Sequence, residues 1–137
     1  METLTAIPAA VAAIIPAAQL AATRSNLQAY SVEIERIEAL LKICPRLGET
    51  DGMKEHPVVF HYFFGGTDIY ICEYSPEARL MFGYTILCGD LENSEFGYID
   101  LEELFQMSLL NLDYHFKEQS IEEALYSTYP DYFQKPQ

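Results

Sequence analysis

The segment from Pro57 to Tyr74 constrains this chain more than any other. Two runs rich in aromatic and β-branched residues, Pro57-Val-Val-Phe-His-Tyr-Phe-Phe64 and Thr67-Asp-Ile-Tyr-Ile-Cys-Glu-Tyr74, flank the dipeptide Gly65-Gly66. Such side chains fit a pleated surface, and a two-residue loop that follows the strand twist calls for positive φ, which glycine permits at both central positions. A tight hairpin is predicted. Its loop length sets Phe64 opposite Thr67, Tyr62 opposite Ile69 and Phe60 opposite Ile71. Val58, Phe60, Tyr62, Ile69 and Ile71 then share one face, the expected core. The other face carries Val59, His61, Phe63, Asp68, Tyr70 and Cys72, too apolar for free solvation, and a helix upstream is expected to cover part of it.

That helix is read from Leu20, Leu27, Ile34 and Leu41, which recur every seven residues, with Tyr30 and Ile37 three places after two of them. The pattern is an a/d stripe, and Pro16 suits a first helical turn, so one long helix is predicted over 16–43, ended by Pro45 and Gly48. Glu33, Glu35, Arg36, Glu38 and Lys42 form its surface face. The stripe packs on the protein's own sheet or, alternatively, zips against a second copy, which makes Leu20, Leu27, Ile34 and Leu41 candidate oligomer-interface residues. Residues 1–15 are an Ala-rich arm, either a short separate helix or frayed.

After the hairpin, Leu80 to Cys88 alternates as a central strand, and an acidic loop leads to a short strand, Phe96 to Ile99. Asp100 and Ser120, each followed three places on by Glu (Glu103 and Glu123), read as N-caps of helices to about Leu110 and over Ile121 to Tyr126. Leu112 to Phe116 is a plausible last strand. The expected fold class is α+β: an antiparallel three- to four-stranded meander sheet with a long N-terminal helix and short C-terminal helices. At 137 residues one domain, 16–137, is expected, with sheet and helices over 57–126.

Half the residues are hydrophobic and 21% charged, which excludes wholesale disorder. The uncharged stretch Ala6 to Ala22 resembles neither a signal peptide, because no basic residue precedes it, nor a spanning helix, because it is mostly Ala with Pro8 and Pro16 inside. Cys44, Cys72 and Cys88 are odd in number and lack CxxC spacing, so they read as reduced residues of a cytoplasmic protein. The formal charge of -13 repels phosphate, arguing against direct nucleic-acid or anionic-membrane contact and for a basic protein surface as partner. The charge is localised. From Asp68 onward there are 14 acids and three bases, against seven acids and five bases before it. Solvated surface is the bland reading of Asp90, Glu92, Glu95, Glu102, Glu103 and Asp113. The sharper one is a partner-binding face, with Phe96, Tyr98, Phe105, Tyr114 and Phe116 as nearby aromatics.

Reaction signatures are missing from the sequence. His56, His61 and His115 have no metal-ligand spacing, and neither a nucleophile elbow nor a phosphate or dinucleotide loop occurs, so no metal, cofactor or catalytic set is expected. Cys72 and His61 fall on one hairpin face and are the best nucleophile and base available, without a third group. His61, opposite Tyr70, reads more simply as a packed histidine donating to a neighbour.

The order of motifs, Cys44-Pro45-Arg46-Leu47, Pro57-Val-Val-Phe-His-Tyr-Phe-Phe64, Ile69-Tyr-Ile-Cys-Glu-Tyr74, Phe82-Gly83, Phe96-Gly-Tyr98 with Leu101-Glu-Glu-Leu104, and Leu112-Asp-Tyr-His-Phe116, resembles a small domain family of unknown function commonly encoded on plasmids, phages and integrative elements. The resemblance covers residues 40–117 and implies a mobile-element context, with no catalytic residue to carry over. Joined to the acidity, it gives the leading expectation: a non-catalytic interaction protein, of the anti-CRISPR or anti-restriction kind, that occupies a basic surface as a nucleic-acid mimic. The alternatives are a dimeric structural or regulatory module using the helix stripe, and a small enzyme using His61, Cys72 or His115.

Overall fold

A computed structural model describes residues 4–136. After a short β1 (Pro57–Val58), β2 (Phe60–Phe64) pairs antiparallel with β3 (Thr67–Ser75) in the expected register, Phe60 to Ile71, Tyr62 to Ile69 and Phe64 to Thr67. The two glycines of the turn do different things. Gly65 has φ of 53°, whereas Gly66 is needed for room: a Cβ there would lie 3.1 Å from the Gly89 nitrogen, whose N–H donates to the Gly66 carbonyl at 2.8 Å. The loop after β4 (Leu80–Ile86) is thereby seated on the hairpin tip.

The sheet has five strands, not three or four, in the order β5-β4-β3-β2-β6, with β5 at Glu95–Asp100 and β6 at Asn111–Leu112, and every neighbouring pair is antiparallel. The predicted strand Leu112 to Phe116 joins it only through its first residue. Asp113 then turns the chain away, its N–H donating to the His61 carbonyl at 2.8 Å and its carboxylate accepting the His115 N–H at 2.9 Å. A separate ribbon pairs β1 with β7 (Gln119–Ser120).

Strand β3 is covered on both faces. Phe60, Tyr62, Ile69, Ile71 and Met81 lie in one core, and Tyr70, Cys72 and Ile86 in the other with Phe116 and Leu125. Two irregularities shape the faces, and the second corrects the prediction. Between Ile71 and Glu73 the register slips, Ile71 facing Gly83 and Glu73 facing Phe82, so Cys72 is an extra residue in a bulge. The slip shifts the alternation, and Tyr74 joins the core of Ile69 and Ile71. At the other end the chain breaks between β1 and β2, which places Val59 in that first core and Val58 in the second, the reverse of the expectation.

The single long helix is also corrected. Helix α1 (Ala9–Ala12) is followed by α2 (Ala17–Ser25), a 3-10 turn over Leu27–Tyr30, and α3 (Ser31–Ile43). The Thr23 and Ser25 hydroxyls bond back to the carbonyls of Gln19 and Ala22, and Asn26 leaves helical geometry at φ -142°, ψ 51°. Side chains that serve the backbone locally in this way compete with the next helical turn. The interrupted stripe faces its own chain: Ile34 is 0% exposed, and Leu20, Leu27 and Leu41 pack half-buried on the same core. Ile34 is thus closed to a second copy. Residues of the Ala-rich arm belong to this core too, with Ile7, Val11, Ile14 and Ile15 buried and the Tyr62 hydroxyl donating to the Ile14 carbonyl. Arg36, expected on the solvated face, donates instead to the Phe116 carbonyl at 2.9 Å. No helix among the described residues is long and apolar enough to cross a membrane.

The two predicted caps are present. Asp100 accepts the N–H groups of Glu102 and Glu103 at 2.8 and 3.2 Å, but helix α4 ends at Leu104, well short of Leu110. Ser120 accepts the Glu123 N–H at 3.1 Å and opens α5 (Ile121–Thr128), whose Ile121, Ala124 and Leu125 cover the second face. That cover comes from the C-terminal helix, whereas the N-terminal helices cover the first face.

Candidate functional site

The two edges of the sheet are finished differently. At β6 the Gln19 side chain acts as a substitute strand, its amide donating to the Leu112 carbonyl at 2.8 Å and its oxygen accepting the Leu112 N–H at 2.7 Å. At β5 nothing does so. Among the described residues, β5 pairs with β4 alone, and no backbone group of residues 95–100 bonds to any other segment. In an antiparallel edge strand every second residue turns its N–H and C=O outward, so β5 presents a row of unpaired groups.

Of the predicted partner-binding acids, Asp90, Glu92 and Glu95 lie at the start of this edge, and Glu102 and Glu103, beside the capping Asp100, at its end, separated by a strand about 17 Å long at the usual rise per residue. Glu92, Glu95 and Glu103 are exposed and make no ion pair among the described residues. The rest have structural partners. Asp90 accepts the Asn93 backbone and side-chain N–H groups at 3.3 and 2.7 Å, Asp100 is the helix cap, and Glu102 pairs with Arg79. Asp113 sits elsewhere, against His61, and is removed from the set.

Between the two acidic ends stands an aromatic surface. Register places Phe96 opposite Tyr84 and Tyr98 opposite Phe82. The Phe82 and Phe96 rings stack at 5.8 Å, and Tyr98 meets Phe82 edge-on at 5.3 Å. Helix α5 covers this face over β3 but does not reach β5, which leaves Phe96 37% and Tyr98 68% exposed. The His56 ring lies 4.8 Å from Phe96, and its carbonyl accepts the Ile121 N–H. Two buried polar atoms here lack partners, Nδ1 of His56 and an oxygen of Glu122, the residue after Ile121. The periodic alternation of Phe96 and Tyr98 signalled one shared face; what it omitted was the length of α5, which decides how far that face is covered.

The residues of the enzyme alternative assemble only partly. His61 stacks on Tyr70 at 4.6 Å, and its Nε2 and Nδ1 lie 2.8 Å from Asp68 and 3.4 Å from Asp113. The Tyr129 hydroxyl donates to the second Asp68 oxygen at 3.1 Å. A cavity of about 200 Å³ adjoins this cluster, lined by His61, Tyr70, Asp113, Phe116, Gln119 and Thr128 among others. Both ring nitrogens are directed at carboxylates of the protein's own chain. Cys72 makes no bond to His61, and burial pushes its thiol up to about 12, away from the nucleophilic thiolate. His115 is exposed, and no group of three or more His, Cys, Asp or Glu among the described residues is placed to hold a metal ion.

Thiols and a phenol shielded in the two cores give a test of the packing. Burial raises Cys72, Cys44 and Tyr70 to about 12, from ordinary values of 9.0 for the thiols and 10.0 for the phenol. The unfolded chain therefore loses these protons first as pH rises, and the native state is favoured below about 9 and progressively disfavoured from there to about 12. Urea midpoints are expected to hold steady at neutral pH and fall across that window; a midpoint that stays level through it would contradict this burial.

No family model matches the chain, and no curated protein or solved structure is significantly similar to it, so the geometry of β5 and its surroundings is what a functional reading rests on.

Proposed function

We propose that this is a non-catalytic interaction protein that captures a basic protein surface along β5, of the kind that nucleic-acid-binding proteins present to phosphate. The observation that carries the reading is the set of unpaired, exposed carboxylates, Glu92, Glu95 and Glu103, flanking an aromatic, uncovered sheet edge in a chain of net charge -13. Negative groups at the two ends of a strand steer a cationic partner, while exposed aromatic rings supply apolar anchorage between them. An inhibitor of a nucleic-acid-binding defence protein would work this way, occupying the phosphate track.

The test compares the wild type with the triple variant Glu92→Gln, Glu95→Gln, Glu103→Gln as bait in a host lysate. Basic proteins captured at low salt are expected to be lost as salt shortens the screening length, and their DNA binding is expected to be inhibited by the wild type. The variant should bind about tenfold more weakly while keeping its circular dichroism, since exposed charges contribute little to folding. Equal capture by the two baits would remove the proposal.

A further inference from the structure

We infer that the partner docks by strand addition: an extended segment with alternating basic side chains joins the sheet at β5, placing a guanidinium or ammonium group over Phe82, Phe96 and Tyr98. The inference rests on the reading of β5 as the docking edge and specifies how that edge is used. Its first support is the contrast between the two edges, since Gln19 closes β6 whereas residues 95–100 keep their outward backbone groups free among the described residues. A peptide strand satisfies such a row with main-chain hydrogen bonds and gains specificity from alternate side chains. The second is the aromatic face. Exposed rings of Phe96 and Tyr98, with Phe82 stacked between strands, present π-faces to whichever side chains an added strand turns toward them, and a cation is well suited to that place.

Charge also excludes the commonest occupant of an open edge, a second copy. Residues 90–104 carry six acids and no base, so two antiparallel copies would bring the acidic start of one β5 to the acidic end of the other. Like charge at both ends disfavours that pairing. The same symmetry offers an acidic group to each end of a basic strand, whichever way it runs.

The probe is an acetylated and amidated heptapeptide alternating arginine with threonine, followed by fluorescence anisotropy and by amide hydrogen exchange of the full chain. Its control carries the same side chains with every backbone amide N-methylated, which removes the donors and keeps the charge. The unmodified peptide is expected to bind, to protect residues 95–100 from exchange, and to lose at least about tenfold on methylation, with Tyr98→Ala costing about two- to fivefold. Tyr98 is mainly exposed, so that variant is expected to fold, and exchange in β3 checks it. Equal binding of the two peptides, weakened in the triple Gln variant, would overturn strand addition while leaving charge capture standing. Binding of neither peptide would overturn the inference and withdraw support from charge capture as well.

Discussion

Gly83→Ala is expected to lower stability by about 3–5 kcal/mol or to prevent folding outright, the largest effect of any single methyl group in this chain. A Cβ built on Gly83 would lie 1.9 Å from the Tyr70 carbonyl oxygen, 2.9 Å from its carbon and 3.0 Å from the Ile71 Cα. All three are backbone atoms of the neighbouring central strand, so no side-chain rotation relieves the clash. Strands β3 and β4 would have to separate where Gly83 faces Ile71, next to the bulge at Cys72, and that movement would disturb the cores on both faces. Ordinary overpacking costs about 1–3 kcal/mol because side chains share the strain; here the backbone takes all of it.

The adjacent strand supplies the control. Gly97 of β5 faces Gly83 directly, yet a Cβ on Gly97 meets nothing within 4 Å. Gly97→Ala is accordingly expected to leave the urea midpoint nearly unchanged. Gly83→Ala should lower it without altering the slope, if it folds at all. Equal midpoints for the two alanine variants would show that β3 and β4 tolerate separation, and the close approach would then carry no energetic weight. Since β4 is the only strand among the described residues that holds β5, the Gly83 contact also fixes the platform on which the candidate docking edge is built.

Local signals in the sequence were read accurately where the physics is local. The hairpin register from Phe60 to Ile71, and the caps at Asp100 and Ser120, depend on residues a few places apart, and the structure contains all of them. Features set by distant partners were not legible. The alternation of β4 hid Gly83, because its need for space comes from Tyr70, and the regular run through Cys72 gave no sign of the bulge. The heptad stripe looked continuous because apolar spacing cannot register the hydroxyl back-bonds of Thr23 and Ser25 that precede the break at Asn26. For the candidate site, the acidity of the second half was visible. Which acids are free was not, because the partners of Glu102 and Asp113 are Arg79 and His61, 23 and 52 residues away.

This distinction explains why counting carboxylates overstates a docking surface. Six acids were singled out from sequence, and three of them, Glu92, Glu95 and Glu103, remain exposed and unpaired among the described residues. What replaces the lost charge is geometry. The free acids bracket one strand whose outer backbone edge is unpaired among the described residues and whose aromatic side chains are partly uncovered, so the surface has direction and register as well as sign.

Glu73 shows the opposite use of a carboxylate, and its removal is the second large effect expected. It sits in β3 at 1% exposure, with no cation paired to it among the described residues. Its two oxygens accept the Gly48 N–H at 2.7 Å, the Thr50 N–H at 2.9 Å and the Thr50 hydroxyl. Three donors converging on one carboxylate make buried charge tolerable, and they fix the loop in which Gly48 has φ of 89°. Glu73→Ala strands these donors and leaves a void, costing about 3–5 kcal/mol. Glu73→Gln keeps the volume but turns an amide N–H₂ toward a donor, costing about 1–3 kcal/mol. Urea unfolding should rank wild type, Gln and Ala in that order of decreasing stability, and limited proteolysis should open the segment around Thr50 first in the alanine variant. Were Glu73→Ala as stable as the wild type, with that segment still resistant to cleavage, the carboxylate would have no role as the loop's anchor.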